Sequence, residues 1–388
     1  MLVLLTILFV FFAILPMLNT IWGVANGKPT LTDGKKNINF GIVITAYGEI
    51  DFAKKLIESI LKQSFQNYTI YLVIDNYEGN LNDFNYPNLV ICKPEKNLNS
   101  KVKSINYAIS KFSADHNYIV ICDSDNLLHP DFFFEINKYH QAGFKAVQGV
   151  RKAKNLNTKY ACLDSIGEIY YNFVDRKSLF YLGSSSTLSG SGMSFELSLY
   201  KKIMSCKTEK IIGGFDKVLQ GRLVCAGEKI AFAEKAIVFD EKIQTRRQLT
   251  KQRTRWLHSY FKYLKYGLFS IILGINNFSI NQFWFGLNHF RPPFFILFSG
   301  LFTTTIISLI SNSILFYVCI SAFLIFGINI LIVMLLSEAS FKQLKSLTLI
   351  PLFIFNQFIS LTGMKKAGKK FLITKNNLVK DINEITNV

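Results

Sequence analysis

Residues 118–126 read YIVICDSDN, and the fold turns on how that stretch is taken. Tyr118 to Cys122 form a short, unbroken apolar run rich in β-branched residues, the pattern of a strand buried on both faces. The run stops at Asp123-Ser124-Asp125, so two carboxylates emerge where the strand ends and solvent begins. Working outward, Asn39 to Tyr47 (NFGIVITAY), Thr69 to Asp75 (TIYLVID) and Asn88 to Cys92 read as three further strands. Phe52 to Gln63 and Lys101 to Phe112 carry apolar residues at helical intervals. Strands alternating with helices predict an α/β domain on a parallel sheet covered on both faces. In such a sheet ligands gather at the carboxyl ends of the strands. Three expected strands finish in polar groups, at Tyr47-Gly48-Glu49, Asp75-Asn76 and Asp123-Ser124-Asp125, so one shared site is expected there.

Carboxylates at alternate positions suit a hard cation, Mg²⁺ or Mn²⁺, whose shell a diphosphate would complete. A DxD triplet by itself is most often a plain turn. Its position at the end of a fully apolar strand, and its partners elsewhere in the chain, are what single it out.

The second half of the chain is of a different kind. From Phe294 to Leu336 no charged side chain occurs. A bilayer core about 30 Å thick takes about 20 helical residues, so this run holds two spans with a turn near Ser311-Asn312-Ser313. Met1 to Trp22 is equally apolar and has no Lys or Arg ahead of it, which reads as a retained anchor rather than a cleaved signal peptide. Ser346 to Gly363 is interrupted by Pro351, Asn356 and Gln357 and reads as either spanning, re-entrant or interfacial. The net charge is +18. Its Lys and Arg cluster at Lys28 to Lys36, Arg246 to Arg255, Lys342 to Lys345 and Lys365 to Lys375, mostly beside apolar segments. That distribution follows the positive-inside rule with attraction to anionic lipid, and it argues against a nucleic-acid partner. Four spans would carry the basic tail outside, so three are expected, with a cytosolic catalytic domain at the plasma membrane. The six Cys residues, Cys92, Cys122, Cys162, Cys206, Cys225 and Cys319, form no CxxC pair, and the five His residues lack ligand spacing. Buried thiols in a reducing compartment are expected rather than disulfides or a zinc site.

VITAYGE (43–49), VID ending at Asp75, KVKSIN (101–106), DSD (123–125), SGSGMSF (189–195) and QRTRW (252–256) follow one another along the chain. Their order resembles that of the family-2 glycosyltransferases, the group containing cellulose, chitin and hyaluronan synthases, over about residues 38 to 265. The resemblance implies a glycosyltransferase A-type, Rossmann-like domain flanked by N-terminal and C-terminal transmembrane helices. It implies that Ala46, Tyr47 and Glu49 contact the donor from the family's opening PAYNE loop, although Thr45 stands for its Pro and Gly48 for its Asn. By the same resemblance Asp75 holds the nucleotide base, and Lys101, in a string similar to K-x-x-A-L-N, sits near the donor phosphates. Asp123 serves donor and metal, Asp125 the metal, and Gly190, Ser191 and Gly192 line the acceptor pocket.

QRTRW matches the family's QxxRW box at Gln252, Arg255 and Trp256. A helix sets Gln252 and Arg255 three apart on one face, with Trp256 completing it. Arg can pair bidentately with a diphosphate leaving group, and Trp offers a flat surface for a sugar ring. The competing reading is an aromatic and basic belt at the membrane interface. For the base, the counterpart of the family's acidic pair before L-x-x-R-L is GGFDKVLQGRLVCAG (213–227). Leu219, Arg222 and Leu223 match there, Asp216 stands at the Asp position and Phe215 replaces the Glu. Asp216 is the expected general base, which needs one group within reach of the attacking oxygen. A helix-start aspartate is the plainer alternative, and Glu228 or Asp240 are fallbacks.

The chain divides into an anchor (1–24), a linker (25–38), a catalytic domain (39–245), a QxxRW helix with interfacial segment (246–290), a membrane region (291–363) and a basic cytosolic tail (364–388). The function implied is inverting, metal-dependent transfer from a nucleotide sugar, a UDP-sugar foremost, to a growing polysaccharide or oligosaccharide at the membrane lipid. A polyprenyl-phosphate or glycolipid acceptor, and a non-catalytic scaffold or export subunit, are the alternatives.

Overall fold

The computed structural model describes residues 2–31, 34, 36–205, 211, 213–311, 313–364 and 378–386. Cys206, Asn312 of the expected turn, and Lys365 to Lys375 of the basic tail lie outside the described residues. In chain order the elements are α1 (Leu2–Asn26), β1 (Phe40–Tyr47), α2 (Asp51–Leu61), β2 (Tyr68–Asp75), β3 (Leu89–Cys92), α3 (Lys101–Ser110), β4 (Tyr118–Asp123), β5 (Leu127–Leu128), α4 (Phe132–Gln141), β6 (Ala146–Ala153) and α5 (Lys159–Tyr170). A π-helical stretch, Tyr171–Ser178, and the short α6 (Leu179–Tyr181) lead to β7 (Met193–Glu196), α7 (Leu197–Met204), α8 (Phe215–Cys225) and β8 (Ile230–Asp240). There follow α9 (Arg246–Tyr263), α10 (Lys265–Asn276), α11 (Ile280–Phe290), α12 (Phe294–Ser311), α13 (Ser313–Leu336), α14 (Phe341–Ser346) and α15 (Ile350–Thr362).

Eight strands form one sheet in the order β3-β2-β1-β4-β7-β6-β8-β5. Its first half is parallel as expected, with Tyr47 opposite Asp75 and Thr45 opposite Asp123. The all-parallel expectation fails in the second half, where β7 runs antiparallel to both β4 and β6, and β5 antiparallel to β8. Side chains alternate across a strand, and the apolar runs use both faces. Ile42, Ile44, Ile70, Leu72, Val120 and Cys122 pack with Leu56 and Ile60 of α2 and Phe133 of α4. Val43, Tyr71, Val73, Ile119 and Ile121 pack on the other face with Ile105 of α3 and Leu219 and Leu223 of α8. Each such aliphatic side chain contributes about 1.5–3 kcal/mol on burial, which is why these strands carry no polar face.

Behind β6 and β8 lies a buried charge cluster. Glu168 of α5 receives Arg176 at 2.6 Å and Lys242 at 3.3 Å, with Arg151 at 4.0 Å. Asp240 pairs with Arg151 and, at 2.8 Å, with Lys242. Against the opposing effect of burial, these three cations hold the Glu168 carboxyl well below its usual range.

Among the described residues four helices are long and apolar enough to cross a membrane: Leu2–Asn26, Phe294–Ser311, Ile314–Leu336 and Phe341–Thr362. The first three pack together through Phe12, Leu15, Leu297, Leu301, Ala322 and Phe326. By length and composition the fourth exceeds the expectation of three. Pro351 falls in the first turn of α15, where its missing N–H costs nothing, while Asn356 and Ser360 face the charged helix α9. Arg246 donates to Asn356 at 2.6 Å and Thr254 to the Ser360 carbonyl at 3.2 Å. After α15 the chain returns to the sheet: Ile382 is buried between Leu127 and Phe239. Among the described cysteines, Cys92, Cys122, Cys162 and Cys319 are buried, and burial pushes the Cys122 thiol up to about 12.

Candidate active site

The parallel register brings the ends of β1, β2 and β4 side by side, so the polar residues that terminate them share one edge. Lys101, in the first turn of α3, donates to the Asp123 carboxylate at 2.5 Å and to the Gly190 carbonyl at 2.6 Å. Three of the expected site residues thus meet at one ammonium. Asp125 stands beside them, its pKa pushed up to about 6, by burial first and by the Asp123 carboxylate next, with Lys154 opposing. The cost that burial and the Asp123 carboxylate place on ionising Asp125 is what a divalent cation would relieve. Among the described residues no three His, Cys, Asp or Glu side chains converge to hold an ion unaided. Asp123 and Asp125 nevertheless fit a Mg²⁺ or Mn²⁺ that takes one or two protein carboxylates and completes its shell with phosphate and water.

Asp216 occupies the first turn of α8, where its charge complements the helix dipole. Its approach to α9 is fixed by Gly214, which precedes the helix with φ +71°, a left-handed conformation. A Cβ there would stand 2.6 Å from Ser259 Oγ and 2.9 Å from the Tyr263 ring, so only glycine lets α8 begin this close to α9. Tyr263 donates to the Gly213 carbonyl at 3.1 Å, closing the junction. On α9, burial lowers the Arg255 guanidinium pKa, while the carboxylates of Asp123 and Asp216 act on it in the opposite direction. Arg255 thus lies within the electrostatic reach of both the end of β4 and the start of α8.

Other expected residues sit differently. Asp75 is buried and accepts the Leu98 and Asn99 backbone N–H groups, each at 2.8 Å, so it pins that loop as well as ending β2. Tyr47 donates to Asn99 Oδ1 at 2.7 Å on the same loop. Glu49 is exposed on the turn after β1, whereas the Ala46 methyl belongs to the core. Ser191 bonds the Asn126 side chain and accepts the Asp123 N–H at 3.1 Å, and the Gly192 N–H reaches the Ile121 carbonyl at 2.9 Å. The 189–195 string thus braces the DSD turn from beneath. Within the QxxRW string the Trp256 ring lies 4.0 Å from the Arg253 guanidinium, which pairs with Asp164 at 2.8 Å and sits near Phe353 of α15. One face of Trp256 is therefore covered, and the residue stays 37% exposed. Gln252 Oε1 is buried without a hydrogen-bond partner.

Of the fallback bases, Glu228 pairs with Lys145 at 3.0 Å beside the amino end of β6, the edge opposite the DSD turn, and Asp240 is held in the buried cluster. Sequence reasoning missed Asn126, Lys154 and Lys217. Asn126 adjoins the triplet and was within reach. Lys154 donates to the Asp125 carbonyl across a long sequence separation. Lys217 follows Asp216, and burial lowers its pKa while Asp216 and Asp175 raise it and Arg176 and Arg291 lower it.

A profile of the family described as "Glycosyltransferase like family 2" matches residues 38–259. Among solved structures the chain is similar to the mannosyltransferase PcManGT from Pyrobaculum calidifontis in complex with GDP-Man and Mn²⁺. Identity is 12%, the TM-score 0.60, and the match covers 94% of this chain and 99% of that one. It is also similar to S. aureus TarS 1-349 in complex with UDP-GlcNAc, at 15% identity and a TM-score of 0.42, over 69% of this chain and 81% of that one. No curated protein matches the chain. At such identity the mannosyltransferase speaks for the fold alone.

Proposed function

The chain belongs to the family-2-like glycosyltransferases, with the A-type α/β fold, and from that premise we propose that it moves a sugar from a nucleoside-diphosphate donor, a UDP-sugar foremost, to a carbohydrate or lipid-linked acceptor at the membrane, with inversion. The observation that carries the reading is the Lys101–Asp123 pair at 2.5 Å, set where the ends of β1, β2 and β4 lie side by side. Asp123 and Asp125 would hold Mg²⁺ or Mn²⁺, which when bound neutralises charge on the departing diphosphate. Lys101 and Arg255 supply fixed positive charge for the same phosphates, an arrangement that costs no reorganisation as the bond breaks. Asp216, in the first turn of α8, accepts the proton of the acceptor hydroxyl as it attacks opposite the leaving group. Gly190, Ser191 and Gly192 keep the DSD turn in place while Gln252 and one face of Trp256 meet the acceptor.

A second reading, in which the acceptor carries a lipid phosphate, is favoured by the desolvated Lys217 beside Arg176 and Arg291. The division into anchor (1–24), linker, catalytic domain (39–245), interfacial segment (246–290), membrane region (291–363) and tail belongs to the same proposal, as does a cytosolic domain at the plasma membrane. With α12 and α13 crossing as a pair, docking of Ile382 on the sheet supports an α15 that stays on the catalytic side. The test is nucleotide release by purified protein in lipid, given UDP- and GDP-sugars with Mn²⁺. Asp125→Ala is expected to lower turnover about 10³-fold, and Asp216→Asn to abolish transfer while sparing donor binding. Turnover at the parent rate in either variant would remove that residue from the mechanism.

A further inference from the structure

Leu378–Thr386 has no part in the proposed chemistry, yet it is tied to the donor turn from several directions. Ile382, 2% exposed, packs on Leu127 and Phe239, with Ile237 and Ile385 around it. Leu127 lies two residues beyond Asp125 and belongs to β5, a two-residue edge strand held by Phe239 and Val238 of β8. The Leu378 N–H donates to Glu241 Oε2 at 3.0 Å, and the Lys380 ammonium to the Lys154 carbonyl at 3.4 Å. Lys154 in turn reaches the Asp125 carbonyl. On the far side Asp381 meets Lys62 at 3.4 Å and Lys55 at 3.6 Å, both on or next to α2, and Lys62 also donates to Asn383 at 3.1 Å. The segment therefore bridges α2 and the end of β8, and β5 lies under the bridge. So short a strand gains little from its own ladder, and its apolar side chains need a cover to hold their register.

We propose that Leu378–Ile385 is a positioning strap: Ile382, seated on Leu127 and Phe239, fixes the Asp123-Ser124-Asp125 turn in the geometry that receives the donor diphosphate. Ile382 and Lys380 are then positioning residues for the transfer reaction, and this role rests on the proposed donor site. The strap acts through Leu127, two residues past Asp125, and through Lys154 on the Asp125 carbonyl, so it constrains the turn where it runs into β5. Losing a buried isoleucine should free the turn by about tenfold or more in its opening equilibrium.

Full-length protein in lipid nanodiscs tests this through two readouts, backbone hydrogen exchange over residues 123–129 and equilibrium binding of UDP with Mn²⁺. Ile382→Asp is expected to speed exchange there about tenfold and to weaken UDP binding about tenfold, whereas Ile382→Val retains both parent values. Ile382→Ala takes the place of the aspartate variant if that fails to accumulate. Unchanged exchange in the Asp or Ala variant would mean the segment is not seated, and faster exchange with unchanged binding would mean that seating does not set the donor turn. Either result overturns the strap alone. Failure of the parent protein to bind UDP or GDP removes the donor reading and the strap's role with it.

Discussion

The proposed donor edge and the buried cluster at the carboxyl ends of β6 and β8 use the same chemistry, carboxylates against lysine and arginine, to opposite ends. At the donor edge one lysine meets one aspartate, and the Asp123 side chain keeps 42% of its exposure. In the cluster Glu168 and Asp240 are shared among Arg151, Arg176 and Lys242, and every one of these side chains is at most 18% exposed. Charges left near solvent remain free to take a ligand. Charges sealed together can only hold the structure, because separating them leaves an uncompensated ion out of water.

The sharpest way to break this contrast is Glu168→Gln. It should destabilise the protein by about 3–5 kcal/mol, by stranding Arg176 and leaving Lys242 to Asp240 alone, and lower the apparent Tm by about 10 °C, with UDP binding per folded molecule unchanged. A shift below about 2 °C would make the cluster as dispensable as a surface pair. Next, Arg255→Ala should lower turnover about 100-fold at unchanged Tm, while Trp256→Ala, with one ring face already covered by Arg253, costs tenfold or less. Equal losses would restore the QxxRW box as one unit.

The smallest effect belongs to a third kind of buried group. His140 is fully buried between Ser194 Oγ and the Phe144 carbonyl, each at 2.7 Å, and burial pushes its pKa down to about 3. The unfolded imidazole takes up a proton near pH 6.5 and the folded one does not, so stability falls as pH drops below 6.5, by about 1.4 kcal/mol per unit, until about pH 3. Melting at pH 7 and pH 5.5 should differ accordingly, and His140→Asn should flatten the difference. An unaltered slope in that variant would assign the acid sensitivity elsewhere, His116 being the other buried imidazole whose pKa burial lowers.

Legibility in the sequence divides along the same line. β1, β2 and β4 are legible because their burial on both faces leaves a local signature. β7 hides inside SGSGMSF, which reads as a pocket loop, because four residues between two antiparallel partners leave no period to detect. Lys101 and Asp123, expected near one ligand, do meet. Trp256 takes its expected role from its place in a string, and Arg253, the residue inside that string with no assigned role, decides what its ring can do. The cluster is invisible in the sequence since its members span residues 151 to 242 and only tertiary folding assembles them.

The amino-terminal helix is keyed to α11 and to the π-helical stretch. Asn19 bonds both Asn288 and the Trp284 indole, at 2.6 and 2.8 Å, and Gly23 lets its backbone approach Tyr171–Ser178 so closely that a Cβ would stand 2.6 Å from Ser178 Cα. A hydrophobic leader borrowed from another protein could match its length and greasiness and still lack both fittings. Chimaeras that trade this segment should therefore insert normally yet yield a loosened enzyme, so here the membrane tether and the catalytic body are parts of one mechanism that cannot be swapped independently.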